Sequence, residues 1–288
     1  MAHIPSRLRE IFCLVTVDGD LRVGDRSQQK ASIEAMCEVH NDLGIQGKTT
    51  WFINEIDFHW MVEHPESLLG LVDSGECIGV HDHLDTHFAD TYAHVFELMH
   101  ASRSHLAGFF LINKREVPLL SHRNGCAIQN AVYYKVAIDL GYTWVSDVRP
   151  ELSWSARMIK ENGQWICLNE DDPRSIFNDN RCVPLGIRPW YHNSQNWMDT
   201  SSRQGSLLQV PITTMPGVIT ERVTAAVENS NDQAFIVIDT HPYDLQDLHS
   251  GDVSKENLVT YQQSLVWIKD EFDAQFICVD QLPEKLLI

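Results

Sequence analysis

Positive charge is what this chain is shortest of. Lysine and arginine together number 22 against 40 aspartates and glutamates, a formal net charge of −18, and the basic residues form no cluster. Binding nucleic acid or an anionic membrane needs such clusters to neutralise phosphates. Neither partner is therefore expected. Any C-x-x-C pair is lacking too: Cys13, Cys37, Cys77, Cys126, Cys167, Cys182 and Cys278 are odd in number and scattered. That pattern predicts reduced structural thiols in a cytoplasmic protein, not a disulfide framework. No apolar run approaches the roughly 18 residues of a membrane-spanning helix. Arg7 and Arg9 precede an apolar run, Ile11 to Val17, that is short and stops at Asp18; a signal peptide has a longer apolar region and a small-residue cleavage site. Repeats and low-complexity tracts are absent as well. Homo-oligomerisation is left open.

What is present is an ordinary globular composition, 43% hydrophobic over 288 residues. α/β barrels reach about 250 residues as one domain, so a single domain over 1–288 is expected, with hairpins and loops inserted around 150–206. Ile11 to Val17 is a β-branched run of strand length buried on both faces. Thr49 to Asn54, Cys77 to Val80, Val117 to Leu120, Tyr142 to Val145, Leu207 to Ile212, Ala234 to Thr240 and Phe276 to Val279 are further predicted strands. Helical spacing covers Ser32 to Leu43, Pro65 to Val72, Tyr92 to Leu111, Ala127 to Leu140 and Glu256 to Phe272. Strands alternating with helices imply parallel β/α units.

The densest chemistry lies in Val80 to His87, which holds His81, His83 and His87 with Asp82 and Asp85. His83 and His87 share one side of a helical turn, and His81 and His83 one side of a strand, so either pair suits a metal ion. Asp18, Asp20, the histidine cluster, Arg123 and His241 all fall just after predicted strands. In a β/α barrel such positions converge on one rim. Each residue alone reads equally well as a turn or surface group; their recurrence at equivalent positions is what points to a site.

Taken in order, these motifs resemble the polysaccharide deacetylases with a NodB-homology domain, carbohydrate esterase family 4. Thr16-Val17-Asp18-Gly19-Asp20 is similar to the family's first motif in the D-x-D form of its cytoplasmic branch. Thr50-Trp51-Phe52 and Gly75-Glu76-Cys77-Ile78-Gly79 follow, and His83-Leu84-Asp85-Thr86-His87 fits H-x-x-x-H. Ser121-His122-Arg123-Asn124-Gly125 resembles the Arg-containing third motif, though Gly125 stands where that motif has Pro, and His241-Pro242-Tyr243 the motif of the catalytic histidine.

The resemblance implies a distorted (β/α) barrel and one divalent metal ion, zinc by preference with cobalt, nickel, manganese or iron as alternatives. Its ligands would be Asp20, His83 and His87. Asp18 would be the general base, Arg123 its orienting cation and His241 the general acid. An amide near Cys126 would be the oxyanion donor, and Asp239 and Asp244 are both candidates to orient His241. The activity implied is hydrolysis of an N-acyl group, N-acetyl first, from a small amino sugar or sugar conjugate, by metal-activated water. Alternatives are an amidohydrolase-type barrel using His81 with His83 (a deformylase or cyclic amide hydrolase) and a non-catalytic sugar-binding barrel. The segment Pro189 to Trp197, with Trp51 and Trp60, either lines a sugar site or packs between loop and barrel.

Overall fold

The structure is a computed structural model and describes residues 10–19, 26–54, 65–84, 91–161, 164–168, 171–193, 196–247 and 249–286. In chain order its strands are β1 (Glu10–Asp18), β2 (Thr49–Asn54), β3 (Cys77–Asp82), β4 (Ser121–Asn124), β5 (Trp144–Val145), β6 (Ser153–Glu161), β7 (Gln164–Leu168), β8 (Ile176–Asp179), β9 (Trp190–Tyr191), β10 (Leu208–Gln209), β11 (Gln233–Thr240) and β12 (Gln275–Phe276). Its α-helices are α1 (Arg26–Asp42), α2 (Pro65–Asp73), α3 (Tyr92–Ile112), α4 (Ala131–Asp139), α5 (Ile219–Asn229), α6 (Lys255–Phe272) and the short α7 (Leu282–Lys285). The chain divides into two compact units, one of 1–78, 186–188 and 213–288, the other of 79–185 and 189–212.

In the first unit β1 is central. It pairs in parallel with β11 on one side, Val17 opposite Thr240, and with β2, Asp18 opposite Phe52; β12 pairs in parallel with Phe12 and Cys13. Every residue from Ile11 to Asp18 is buried, and so is all of β11. That is why both read as continuous apolar runs: a parallel strand covered on both faces has no solvent side to mark with polar residues. Each fully buried Val, Ile or Leu here contributes about 1.5–3 kcal/mol. Within the same unit Glu76 accepts from the amide and hydroxyl of Thr49 at 2.9 and 2.7 Å.

In the second unit β3, β4, β5 and β10 pair in parallel, and β9 closes antiparallel on β10. A separate antiparallel sheet, β7-β6-β8, forms the hairpins expected after residue 150.

Several expected elements are corrected. Val117 to Leu120 is not a strand; β4 starts at Ser121, because Pro118 has no N–H to give a ladder, and His122, Arg123 and Asn124 that follow are buried by bonds to side chains and backbone of other elements. The helix expected from Ala127 starts only at Ala131, after Asn130 caps it by accepting from the Tyr133 amide at 2.7 Å; Gly125–Ala127 is a separate tight turn. The strands expected at Leu207 to Ile212 and Phe276 to Val279 shrink to Leu208–Gln209 and Gln275–Phe276. Helix α5 was not expected at all. No described helix is long and apolar enough to cross a membrane, and Cys13, Cys37, Cys77, Cys126, Cys182 and Cys278 are free thiols.

Candidate active site

In the first unit the register of β1 with β11 sets the geometry. Val17 faces Thr240, so the next residues, Asp18 and His241, emerge together at the C-terminal ends of paired strands. The Gly19 amide bonds Phe52 O at 2.8 Å, turning the chain immediately after Asp18. His241 Nε2 lies 3.9 Å from Asp18 Oδ2. On the other edge of the ring, Nδ1 faces Asp244 Oδ2 at 3.3 Å, and the same oxygen accepts the His241 amide at 2.8 Å and the Thr240 hydroxyl at 3.2 Å. Pro242 opens the short turn His241–Asp244, in which Asp244 reaches back to cap its own start. Tyr243 stacks on the imidazole at 4.4 Å. Burial is the largest single influence on His241 and lowers its pKa, but the bond to Asp244 with the charges of Asp239, Asp18 and Asp244 outweighs it, leaving the pKa above its ordinary 6.5. Of the two carboxylates considered as partners for His241, Asp244 makes the direct bond.

In the second unit β3 runs further than expected and includes His81 and Asp82. Its register with β4 pairs His81 with Arg123 and Asp82 with Asn124. Strand alternation therefore sends His81 and Arg123 to one face and Asp82 and His122 to the other. His81 and His83 are each 1% exposed, with ring centroids 4.9 Å apart and rings nearly perpendicular. Arg123 is also buried and donates from Nε to Ser146 O and from Nη2 to Ser146 Oγ, both at 2.9 Å.

On the opposite face lies a buried network missed from the sequence. His122 Nε2 meets Asp82 Oδ2 at 2.8 Å, and Nδ1 meets the Tyr133 hydroxyl at 2.9 Å. That hydroxyl donates to Asp147 Oδ2 at 2.9 Å, and Asp147 Oδ1 accepts the Asn124 amide at 2.7 Å. Burial lifts Asp147 to about 6, opposed by the Asn124 amide, His122, Tyr133 and Arg123. Asp82, given little weight beside its histidine neighbours, is thus tied into the strand pair; the alternation of β3 is the signal that separates it from them.

The turn after β4 carries backbone strain. Cys126 and Ala127 have φ of 56° and 50°, left-handed values costing about 1–3 kcal/mol each for non-glycine residues. Trp154 Nε1 donates to Cys126 O at 2.9 Å. Gly125 matters for space rather than conformation: a Cβ there would overlap the ring of His83 at Nδ1, Cε1 and Cγ. A proline at this place would bring that Cβ, so the departure from the R-x-P pattern has a steric reason.

Of the proposed metal ligands, Asp20 and His87 lie outside the described residues, as does Asp85. Of that donor set only His83 is described: its imidazole is buried, in a cradle that any side chain at 125 would fill, and among the described residues no three or more His, Cys, Asp or Glu side chains are grouped to hold a metal ion. In the aromatic segment Trp190 and His192 are buried. Tyr134 contacts His192 at 4.1 Å and Trp197 at 5.2 Å between centroids, while Trp51 is buried and donates to Thr49 Oγ1 at 3.2 Å. Packing accounts for these three. Tyr191 and Trp197 are half-buried, and Trp60 lies outside the described residues.

No sequence-family profile matches the chain, and no curated protein does. Solved structures do. A Mycobacterium smegmatis protein assigned as a polysaccharide deacetylase aligns over 99% of this chain and 93% of its own, with 13% identity and a TM-score of 0.61. A 4-α-glucanotransferase from Thermococcus litoralis aligns over 96% of this chain and 41% of its own, with 10% identity and a TM-score of 0.58. A family 4 carbohydrate esterase from Streptomyces lividans, solved with acetate, aligns over 88% of each chain at 13% identity and a TM-score of 0.41. The first likeness shows the fold: the chain shares the α/β fold of the polysaccharide-deacetylase type, the class expected from its motifs.

Proposed function

We propose that this protein is a metal-dependent hydrolase that removes an acyl group, N-acetyl first, from a small amino sugar or sugar conjugate in the cytoplasm. The observation that carries the reading is the Asp18–His241 pair at the in-register ends of β1 and β11, with Asp244 behind the imidazole. The order of motifs and the shared fold support it.

By the resemblance, Asp20, His83 and His87 would hold a divalent ion, which would supply Lewis-acid polarisation and a lowered pKa for the attacking water. The protein's own groups do the rest. By the resemblance, Asp18 takes the proton from the water and Arg123 is the cation assigned to orient it. The amide of Cys126 donates to the oxygen that gains charge. His241 delivers its proton to the departing amine nitrogen; a pKa raised above its ordinary value favours the protonated ring, as a general acid requires.

The test is metal analysis of the purified protein joined to an acetate- and formate-release screen over N-acyl sugars, nucleotide sugars and simple amides. Asp18→Asn is expected to keep the metal and lose turnover, and His83→Ala to lose the metal. Equal metal loss in both refutes this division of roles. One observation favours a second ligand set: His81 lies on β3 with its ring edge-on to His83, the H-x-H arrangement. Metal lost with His81→Gln but kept with His87→Gln selects that set.

A further inference from the structure

The strained turn at Gly125–Ala127 is gripped from outside its own segment. Two successive left-handed residues that are not glycines persist only where the surroundings over-determine them. Much of that environment comes from the small antiparallel sheet that sequence reasoning treats as decoration. Trp154 of β6 bonds Cys126 O through its indole N–H at 2.9 Å. The indole is in turn held by the Arg149 guanidinium, 5.3 Å from the ring, a cation–π contact. From β8, Asn178 Oδ1 accepts the Gln129 amide at 3.2 Å, and Gln129 Nε2 donates to Asp147 O at 2.7 Å. Upstream, the Asn124 amide is fixed on Asp147 Oδ1.

The peptide group is planar, so fixing a carbonyl fixes the plane it belongs to. The Cys126 N–H shares its plane with the Gly125 carbonyl, which accepts the Ile128 amide at 3.4 Å, and Trp154 holds the adjoining plane through the Cys126 carbonyl, so with Asn124 fixed upstream the Cys126 amide is bracketed on both sides. We propose that Trp154 is a positioning residue for the Cys126 amide, and that the β6–β8 sheet is the clamp that keeps this donor aimed at the oxygen gaining charge. This rests on the oxyanion role assigned to that amide above. A donor aimed at developing charge is felt in the transition state more than in substrate binding.

The experiment uses the full chain with its metal. Trp154→Phe keeps an aromatic ring beside Arg149 and deletes the N–H. Turnover is expected to fall about 10-fold or more with KM within about 2-fold, metal content is expected to be unchanged, and amide hydrogen exchange is expected to quicken within residues 124–129. Should Trp154→Phe unfold, the Asn178 pair decides: Asn178→Ala quickens exchange in the turn and Asn178→Asp, which keeps an acceptor, restores it. Wild-type kcat with wild-type exchange in Trp154→Phe overturns the proposal, and so does an Asn178 pair that behaves identically. If the wild-type protein releases no acyl group from any substrate, the functional reading falls. The clamp is then judged on exchange alone: quickening confined to the turn supports it and its absence refutes it.

Discussion

The imidazole of His83 occupies the space in which a side chain at Gly125 would begin. Gly125 is not in the left-handed region, so alanine fits the backbone there and fails only against the ring. Gly125→Ala is therefore expected to displace His83, weaken metal binding and lower turnover about 100-fold or more, with a far-ultraviolet spectrum like the parent's. Metal content and acyl release measured side by side check this. Activity within about 2-fold of the parent would remove His83 from the site.

Asp244 holds the far nitrogen of His241. Its negative charge helps raise the pKa of that imidazole, so the protonated acid survives above 6.5. Asp244→Asn removes the charge, and the alkaline limb of the pH–rate profile is expected to move to lower pH, with the maximal rate down about 10-fold. A limb that stays in place would mean that Asp244 only caps its turn.

Asp82 and His122 form a buried pair that β3 and β4 share. Removing one member leaves the other's buried polar atom without this bond, which typically costs about 1–3 kcal/mol. His122→Leu should lose that much stability in urea titrations. The double variant Asp82→Asn, His122→Leu should lose less than the two single changes add up to, because the one bond is then counted only once. Loss in the double equal to the sum of the singles would argue against coupling.

His40 is buried against Tyr261, with Nε2 2.7 Å from the hydroxyl, and burial pushes its pKa down to about 3. The sign follows from linkage. Above about 6.5 the ring is neutral in both states and its contribution is complete; as pH falls toward 3 the unfolded chain takes up a proton that the folded one refuses, and stability drops. Burial also lowers His192, to about 4, against the bonds it makes to Gln209 and the Trp197 backbone, so it acts in the same direction. His40→Gln should flatten the acid slope by up to about 1.4 kcal/mol per pH unit, read from urea midpoints between pH 6.5 and 4.

How much could be read in advance depended on how each segment is stabilised. Strands β1, β2 and β11 are legible to within about a residue because burial on both faces leaves a run of apolar and β-branched residues with no solvent-facing alternation. Strand β4 is not, since His122, Arg123 and Asn124 are buried by hydrogen bonds whose partners lie on other elements. Helix α5 had a usable signal, Ile219, Val223, Ala226 and Val227 on one buried face, set among polar neighbours that hid it. In the site, Asp18 and His241 were legible from their places after strands. The choice of Asp244 over Asp239 needed the turn geometry, and Trp154 carried no sequence signal that tied it to Cys126.

Strand β1 is flanked by β2, the next strand in sequence, and by β11, where Thr16 Oγ1 bonds Ile238 O across 222 positions. During synthesis one edge of this largely apolar strand stays open until most of the chain has left the ribosome. Such long-range pairing makes folding slow and exposes a sticky edge in the meantime. Growth temperature, translation rate and chaperone supply should therefore govern the yield of this protein more than the stability of its finished fold.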